Sequence, residues 1–298
     1  MLSLKFNKQI CLIGLIGLIG LIILNIIFKT KENFDNRFEQ YKDKLIVYQF
    51  NEHGGGGIGA FIGNMKIVYD NINTNFKIDL QHSVLKKYFK IKDEYKYNPK
   101  IHIDYTIVRP SNIWPISKND WKAFSTKTKF KPLDYFNIDD TVINHLEKIK
   151  EKNNINYKYN AIHIRLGDKF MKKTKNQEWS NDDRMKNWHH GTSSDNFIDT
   201  KIGKIINNNL NEKFILFSDN NEVKQKYSKK YDNLVHIPIE ILHTDKIKNI
   251  KIKEQDVLDN ICEFLLISKA ENINVILRSG FPITSYFMNQ NNNLILHY

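Results

Sequence analysis

Six residues, His163-Ile164-Arg165-Leu166-Gly167-Asp168, close the apolar run Tyr159-Asn160-Ala161-Ile162 and combine a planar cation, a glycine and a carboxylate. An arginine guanidinium is a rigid fork of donors that matches the oxygens of a phosphate or diphosphate. Three more segments of this character also follow apolar runs. Gly54-Gly55-Gly56-Gly57-Ile58-Gly59 comes after Leu45 to Phe50. Glycines there let backbone amides approach an anionic or sugar group and open a helix amino terminus toward it. The run is no Walker A loop, since no Lys-Ser/Thr pair follows, and it is not a convincing dinucleotide fingerprint. Phe217-Ser218-Asp219 reads either as a ligand contact or as the cap of the next helix. Arg278-Ser279-Gly280-Phe281 reads either as a plain turn or as a hydroxyl and amides that hold a phosphate oxygen.

These segments need strands to carry them and helices to space them. β-like runs fall at residues 45–50, 76–80, 103–108, 159–164, 214–217, 234–237 and 273–277. Helical patterns run from the glycines to about Tyr69, then over 139–152, 197–210, 222–230 and 255–270, with a short helix after Pro282. Asn137 or Asp139 is the candidate cap of the second of these. Strands joined by helices imply an α/β fold with parallel sheets and right-handed crossovers. Ligands then sit outside the carboxyl ends of the strands, where all four segments fall.

The chain has 298 residues, 41% of them hydrophobic, enough for one large domain or two modest ones. Lys and Arg number 45 against 33 Asp and Glu, a formal +12 that suits an anionic partner. The lysines are scattered, and no RNA-recognition signature, zinc finger or basic helix is present, so no nucleic-acid partner is expected. From Ile10 to Phe28 the sequence is apolar except for Asn25. About twenty such residues span a bilayer core, and no small-residue cleavage site follows. The expected order is a tail (1–9), an uncleaved single-pass membrane anchor (10–28), a charged stalk (29–44) and two α/β halves (45–152 and 153–298), divided at the polar stretch 150–157. Lys5 and Lys8 before the anchor balance Lys29 and Lys31 after it, so its orientation stays open, with the endomembrane system as one setting. Cys11 and Cys262 cannot form an internal disulfide on this plan. His189-His190 lacks matching metal ligands and reads as surface.

In this order, the motifs Gly56-Gly57-Ile58-Gly59, His163-x-Arg165-x-x-Asp168, Phe217-Ser218-Asp219 and Ser279-Gly280-Phe281 resemble those of the fucosyltransferase superfamily. That group has the two-domain GT-B fold and includes α1,2- and α1,6-fucosyltransferases and protein O-fucosyltransferases. The chain departs from it at Leu166, where many members carry a second arginine, and at Ala60, where Asn or Asp often stands. The resemblance implies a GT-B-like fold: two Rossmann-type parallel-sheet halves facing a cleft, with the acceptor side first and the nucleotide-sugar side second. It implies GDP-fucose as donor substrate, a glycan or protein hydroxyl as acceptor, and no cofactor. Arg165 would neutralise the β-phosphate as the sugar–phosphate bond breaks, with Asp168 beside it. Ser279, Gly280 and Phe281 would hold the same diphosphate, His163 and Asp168 would shape the loop or contact the nucleotide, and Asp219 would contact the donor or cap its helix. No DxD motif is present, so arginine would take the place of a metal, and inversion would follow from in-line attack. Among candidate bases (His53, Asp195, His243 and Asp245), the pair His243 and Asp245 ranks first because it lies in a polar loop before a helix. Two other readings stay open: another nucleotide-sugar transferase on the same fold, and a catalytically silent membrane-tethered binding protein.

Overall fold

The computed structural model describes residues 41, 44–51, 57–72, 75–110, 128–165, 195–239, 253–277 and 279–297, with Asp195 and Asn196 placed by backbone alone. The expected tail, the anchor, nearly all of the stalk, His53, Gly56, Asp168, His243 and Asp245 lie outside these residues. No helix among the described residues is long and apolar enough to cross a membrane.

Among the described residues, ten strands form two parallel sheets and one antiparallel pair. β1 (Leu45–Phe50), β2 (Lys77–Leu80) and β4 (Tyr105–Val108) make a three-stranded parallel sheet in the order β2-β1-β4. β3 (Phe89–Ile91) and β5 (Phe136–Ile138) pair antiparallel. The second parallel sheet contains β6 (Asn160–Ile164), β7 (Phe214–Ser218), β8 (Leu234–His236), β9 (Asn272–Ile276) and β10 (Asn293–Leu296), in the order β10-β9-β6-β7-β8. The principal helices are α1 (Ile58–Asn71), α2 (Asp140–Lys152), α3 (Asp195–Asn207), α4 (Asn221–Lys230), α5 (Glu254–Lys269) and α6 (Gly280–Tyr286).

The second sheet's order shows how its helices are distributed. The chain steps outward from β6 to β7 to β8 through α3 and α4, then returns through α5 to β9 on the other side of β6. Because crossovers are right-handed, reversing direction moves the helices to the opposite face. Alternation along the strands records both faces. Ile162, Ile164, Phe214, Leu216 and Ile276 pack with Ile198, Ile202 and Ile205 of α3. Ala161, Ile215, Phe217, Ile273 and Val275 pack into a second cluster with α5, α6 and the first sheet's α1. The layers therefore run first sheet, α1, α5 with α6, second sheet, α3 with α4. One buried core joins the two sheets.

Helix ends follow local chemistry. Asp139 caps α2 by accepting from the Thr141 amide at 3.0 Å, and Asn154, at φ 53°, turns the chain away from that helix in a conformation Asn tolerates. Asn220 caps α4, accepting from the Val223 amide at 3.1 Å. β3, β5 and β10 were not expected. The first two have three residues each, too few to show a period, and β10 emerges from an Asn-rich tail.

Those asparagines have a structural role at the amino-terminal rim of the second sheet. Register places Asn160, Asn272 and Asn293 side by side on β6, β9 and β10. The Asn272 amide donates to Asn160 Oδ1 at 2.6 Å, and the Asn293 amide donates to Asn272 Oδ1 at 2.9 Å. Asn160 is buried and donates onward to Glu212. Asn272→Ala leaves a buried acceptor without its donor, which costs about 1–3 kcal/mol. Urea unfolding should show this loss, whereas Asn291→Ala, in an exposed turn, should unfold like the parent.

Candidate functional site

The strand order creates a switch point between β6 and β9, where connections leave in opposite directions and open a crevice at the carboxyl ends. The side chains there follow from the pleat. Since Ala161 faces the α5–α6 layer, His163 and Arg165 do too. Since Ile215 and Phe217 face it on β7, so does Asp219. The β6–β7 register pairs His163 with Phe217 and Ile164 with Ser218, so Arg165 arrives beside Asp219. Arg165 Nε lies 3.4 Å from Asp219 Oδ2. The carboxylate side chain is 5% exposed and the guanidinium side chain 32%, so a buried anion anchors a cation that reaches toward solvent. Asn220 caps α4, so Asp219 is left to hold the arginine rather than serve as a cap. Ser218 also stays local: its hydroxyl accepts from the Asn220 amide at 3.2 Å.

Across the switch point, β9 is followed by Leu277, whose φ of 68° is unusual for a branched side chain. This twist sends the chain into Ser279 and α6. Ser279 is buried, its side chain makes no capping bond, and its Oγ has no hydrogen-bond partner. A buried hydroxyl without a partner loses its hydration for nothing unless a ligand supplies one. Phe281 completes this side. Its ring stands 5.2 Å from that of Phe264 in an edge-on contact and 6.2 Å from the buried His163 imidazole.

Gly59 of the glycine segment packs at the same place. Gly57 precedes α1 with open space around its α-carbon, and Gly59 lies inside the first turn. A Cβ on Gly59 would stand 3.2 Å from Thr284 Oγ1 and 3.4 Å from the Phe281 ring. Gly59 therefore lets α1 pack closely against α6, whatever the amides before it contact.

Two residues at this site carried no signal in the motifs. Glu263, on α5, is 1% exposed and its Oε1 has no hydrogen-bond partner. Burial pushes its carboxyl up to about 8; Lys224 opposes that rise and Asp219 adds to it. Lys224, on α4, is also 1% exposed, and its ammonium donates to the carbonyl oxygens of Ile239 at 2.6 Å and Ile237 at 3.2 Å. An acid inside an apolar helical pattern and a lysine beside Val223 both look like ordinary amphipathic positions. Of the expected residues, the structure brings together His163, Arg165, Asp219, Ser279, Gly280, Phe281 and Gly59. Among the described residues no group of three or more His, Cys, Asp or Glu could hold a metal ion.

Close packing at Gly59 makes a sharp test of this arrangement. Gly59→Val places branched bulk against Phe281 and Thr284 and should destabilise the protein by about 1–3 kcal/mol. Gly59→Ala, which needs a shift of only a few tenths of an ångström, should cost much less. Denaturant midpoints distinguish the two, and equal midpoints would show that the close approach does not matter.

No family model matches the chain, and no curated protein matches it. Among solved structures, NodZ α1,6-fucosyltransferase co-crystallised with GDP aligns with 83% of this chain and 93% of its own, at 8% identity and a TM-score of 0.45. Fucosyltransferase NodZ from Bradyrhizobium aligns with 83% of this chain and 94% of its own, at 8% identity and a TM-score of 0.43. POFUT1 in complex with GDP-fucose aligns with 85% of this chain and 74% of its own, at 11% identity and a TM-score of 0.38. At these scores and identities the likeness carries no weight for activity, and the chemistry of the site rests on its own residues.

Proposed function

We propose that this chain is a GT-B-like glycosyltransferase that moves fucose from GDP-fucose to a glycan or protein hydroxyl, with inversion and without a metal, tethered by residues 10–28. The observation that carries this reading is the Arg165–Asp219 pair at the switch point, with the partnerless Ser279 hydroxyl on the adjoining strand connection. A sugar–phosphate bond breaks with negative charge gathering on the departing diphosphate. A fixed guanidinium stabilises that charge without reorganising. Asp219 grips Arg165 through Nε, which assigns the terminal amino groups to the diphosphate. The Ser279 hydroxyl donates to a second diphosphate oxygen, and Phe281 packs the connection that carries it. The acceptor hydroxyl attacks the sugar from the face opposite the leaving group. Asp168 joins the diphosphate side on this proposal, and His243 and Asp245 are the candidates to receive the acceptor's proton.

Leu166, in place of a second arginine, favours one other reading, a tethered nucleotide-sugar binder without turnover. Tight GDP-fucose binding with no product at any acceptor would select it.

Arg165→Ala should lower transfer about 10²–10³-fold, as expected for a lost donor to developing charge, while circular dichroism stays unchanged. Unaltered turnover would remove Arg165 from the mechanism. Ser279→Ala forfeits one hydrogen bond to a charged oxygen, worth about 1.5–3 kcal/mol, so GDP affinity should fall roughly ten- to 150-fold. GDP at about a hundredfold above its Kd should stabilise the parent by about 2.7 kcal/mol in thermal unfolding, and uridine diphosphate should not. For the tether, deleting residues 1–28 should move the protein from the carbonate-resistant membrane fraction to the supernatant.

A further inference from the structure

Two opposite groups act electrostatically around Asp219: Glu263 on α5, whose carboxyl feels both Asp219 and Lys224, and Lys224 on α4, each 1% exposed. Surface ion pairs are common and count for little, but these two have left water entirely. The ammonium is satisfied in part by two carbonyl oxygens at the exit of β8. The carboxyl group keeps one buried oxygen with no hydrogen-bond partner among the described residues. An ionised carboxylate in that condition is costly, and protonation relieves the cost. With Glu263 neutral, Arg165, Asp219 and Lys224 leave one net positive charge in the group. With Glu263 ionised they leave none.

We propose that Glu263 is a proton-holding positioning residue for the anion site: it is protonated when a diphosphate occupies Arg165, and Lys224 sets how firmly that proton is held. This rests on the reading of Arg165 as a diphosphate site. An arriving diphosphate adds negative charge near a chain of groups that couples Arg165 to Asp219 and Asp219 to Glu263. A carboxylate beside new negative charge binds its proton more tightly, so by linkage the diphosphate binds more tightly to the protonated protein. The proton comes from solvent and adds to one carboxylate oxygen of Glu263; no other bond changes.

Among the described residues, Lys224 of α4 and Asp219 at the end of β7 act on the Glu263 carboxyl, and Arg165 and the buried His163 follow from the β6–β7 register beside Asp219. On α5 itself, Cys262 contacts the Val142 carbonyl of α2 at 3.7 Å, and Asp259 is occupied by His145 of α2 at 2.6 Å. On α1, Lys66 pairs with Asp70 at 2.6 Å. The ionisable side chain of α6 is Tyr286. Among the described residues, Glu263 alone combines full burial, a partnerless oxygen and a carboxyl value pushed up to about 8.

The sign follows from that value. Its folded-state carboxyl lies above the ordinary range, and a bound diphosphate raises it further. Affinity is therefore greatest below about pH 8 and declines as pH rises through the free protein's value toward the complex's, by at most tenfold per pH unit. Titrating GDP into the full chain at pH 7.5–9, in two buffers of different ionisation enthalpy, reads the proton count directly. Uptake of up to one proton per GDP is expected, greatest between about pH 8 and the complex's value. Glu263→Gln should still bind GDP but take up none. Lys224→Met removes a positive neighbour, so the uptake should move to higher pH. Proton release, or uptake that persists in Glu263→Gln, would overturn the inference while GDP binding stands. A parent that takes up no proton would overturn the inference even if a variant fails to fold. Absence of GDP binding to the parent would instead overturn the diphosphate reading itself.

Discussion

The site depends on one register. Parallel pairing of β6 with β7 sets Ile164 against Ser218, and the next residue on each strand is then Arg165 or Asp219. Shifting that pairing by a single residue would turn every side chain of one strand to the opposite face. Arg165 would then sit against the α3 layer with Ile162 and Ile164, and Asp219 would have no cation. What prevents the slip is burial on both faces: Ala161, Ile215 and Phe217 pack on one side, and Ile162, Phe214 and Leu216 on the other. An ion pair 3.4 Å long contributes little to holding two strands in register. The apolar side chains set the register, and the charges take the positions it leaves.

A second constraint comes from the contact of α1 with α6. Arg165 and Ser279 belong to the second sheet, yet the helix that follows Ser279 is covered by a helix from the first. Gly59 sets how closely they approach, and Thr284, whose hydroxyl is bonded back to the Gly280 and Phe281 carbonyls at 2.9 and 3.0 Å, presents a fixed surface to it. Polar contacts reinforce the join farther out, where Glu254 of α5 accepts from Lys87 at 2.7 Å and from Tyr88 at 3.0 Å. The first sheet thus shapes a site whose charged groups it does not supply. Backbone strain falls at Leu277, just past β9 and close before the buried Ser279.

Much of this was legible in the residues, and the reasons for the rest are physical. Apolar runs followed by charge, such as Tyr159 to Asp168 and Phe214 to Asp219, mark strand ends, and most of the expected strands and helices form within a few residues of their predicted limits. The pairing of Arg165 with Asp219 needed register, which depends on two strands about fifty residues apart in sequence. Phe217-Ser218-Asp219 could be read as a cap because Ser and Asp are good caps, but Asn220 lies one residue nearer the helix and makes the bond. β10 was hidden because Asn289 to Asn293 looks like a loop, whereas Asn293 belongs to a ladder of amides on three strands. Glu263 was hidden by its setting. Leu258, Ile261, Cys262 and Leu265 announce a buried helical stripe, and an acid next to that stripe is usually on its exposed border. Here the border is buried, and Glu263 is 1% exposed.

The chain's net charge of +12 invites an account of anion binding by bulk attraction, but the site is not built that way. Many described lysines sit at the surface in pairs: Lys158 with Glu271, Lys226 and Lys230 with Asp199, Lys269 with Glu147. The site holds two cations, Arg165 and Lys224, against Asp219 and the Glu263 carboxyl, a net charge of at most one. A cluster with so small a net charge gives little long-range attraction. What it gives is a guanidinium whose direction is fixed before any ligand arrives, and fixed dipoles stabilise developing charge better than mobile ones because they need not reorganise. Adding surface lysines would therefore raise the rate of encounter with an anion and leave the orientation of Arg165 unchanged. Orientation is the property a departing diphosphate would use.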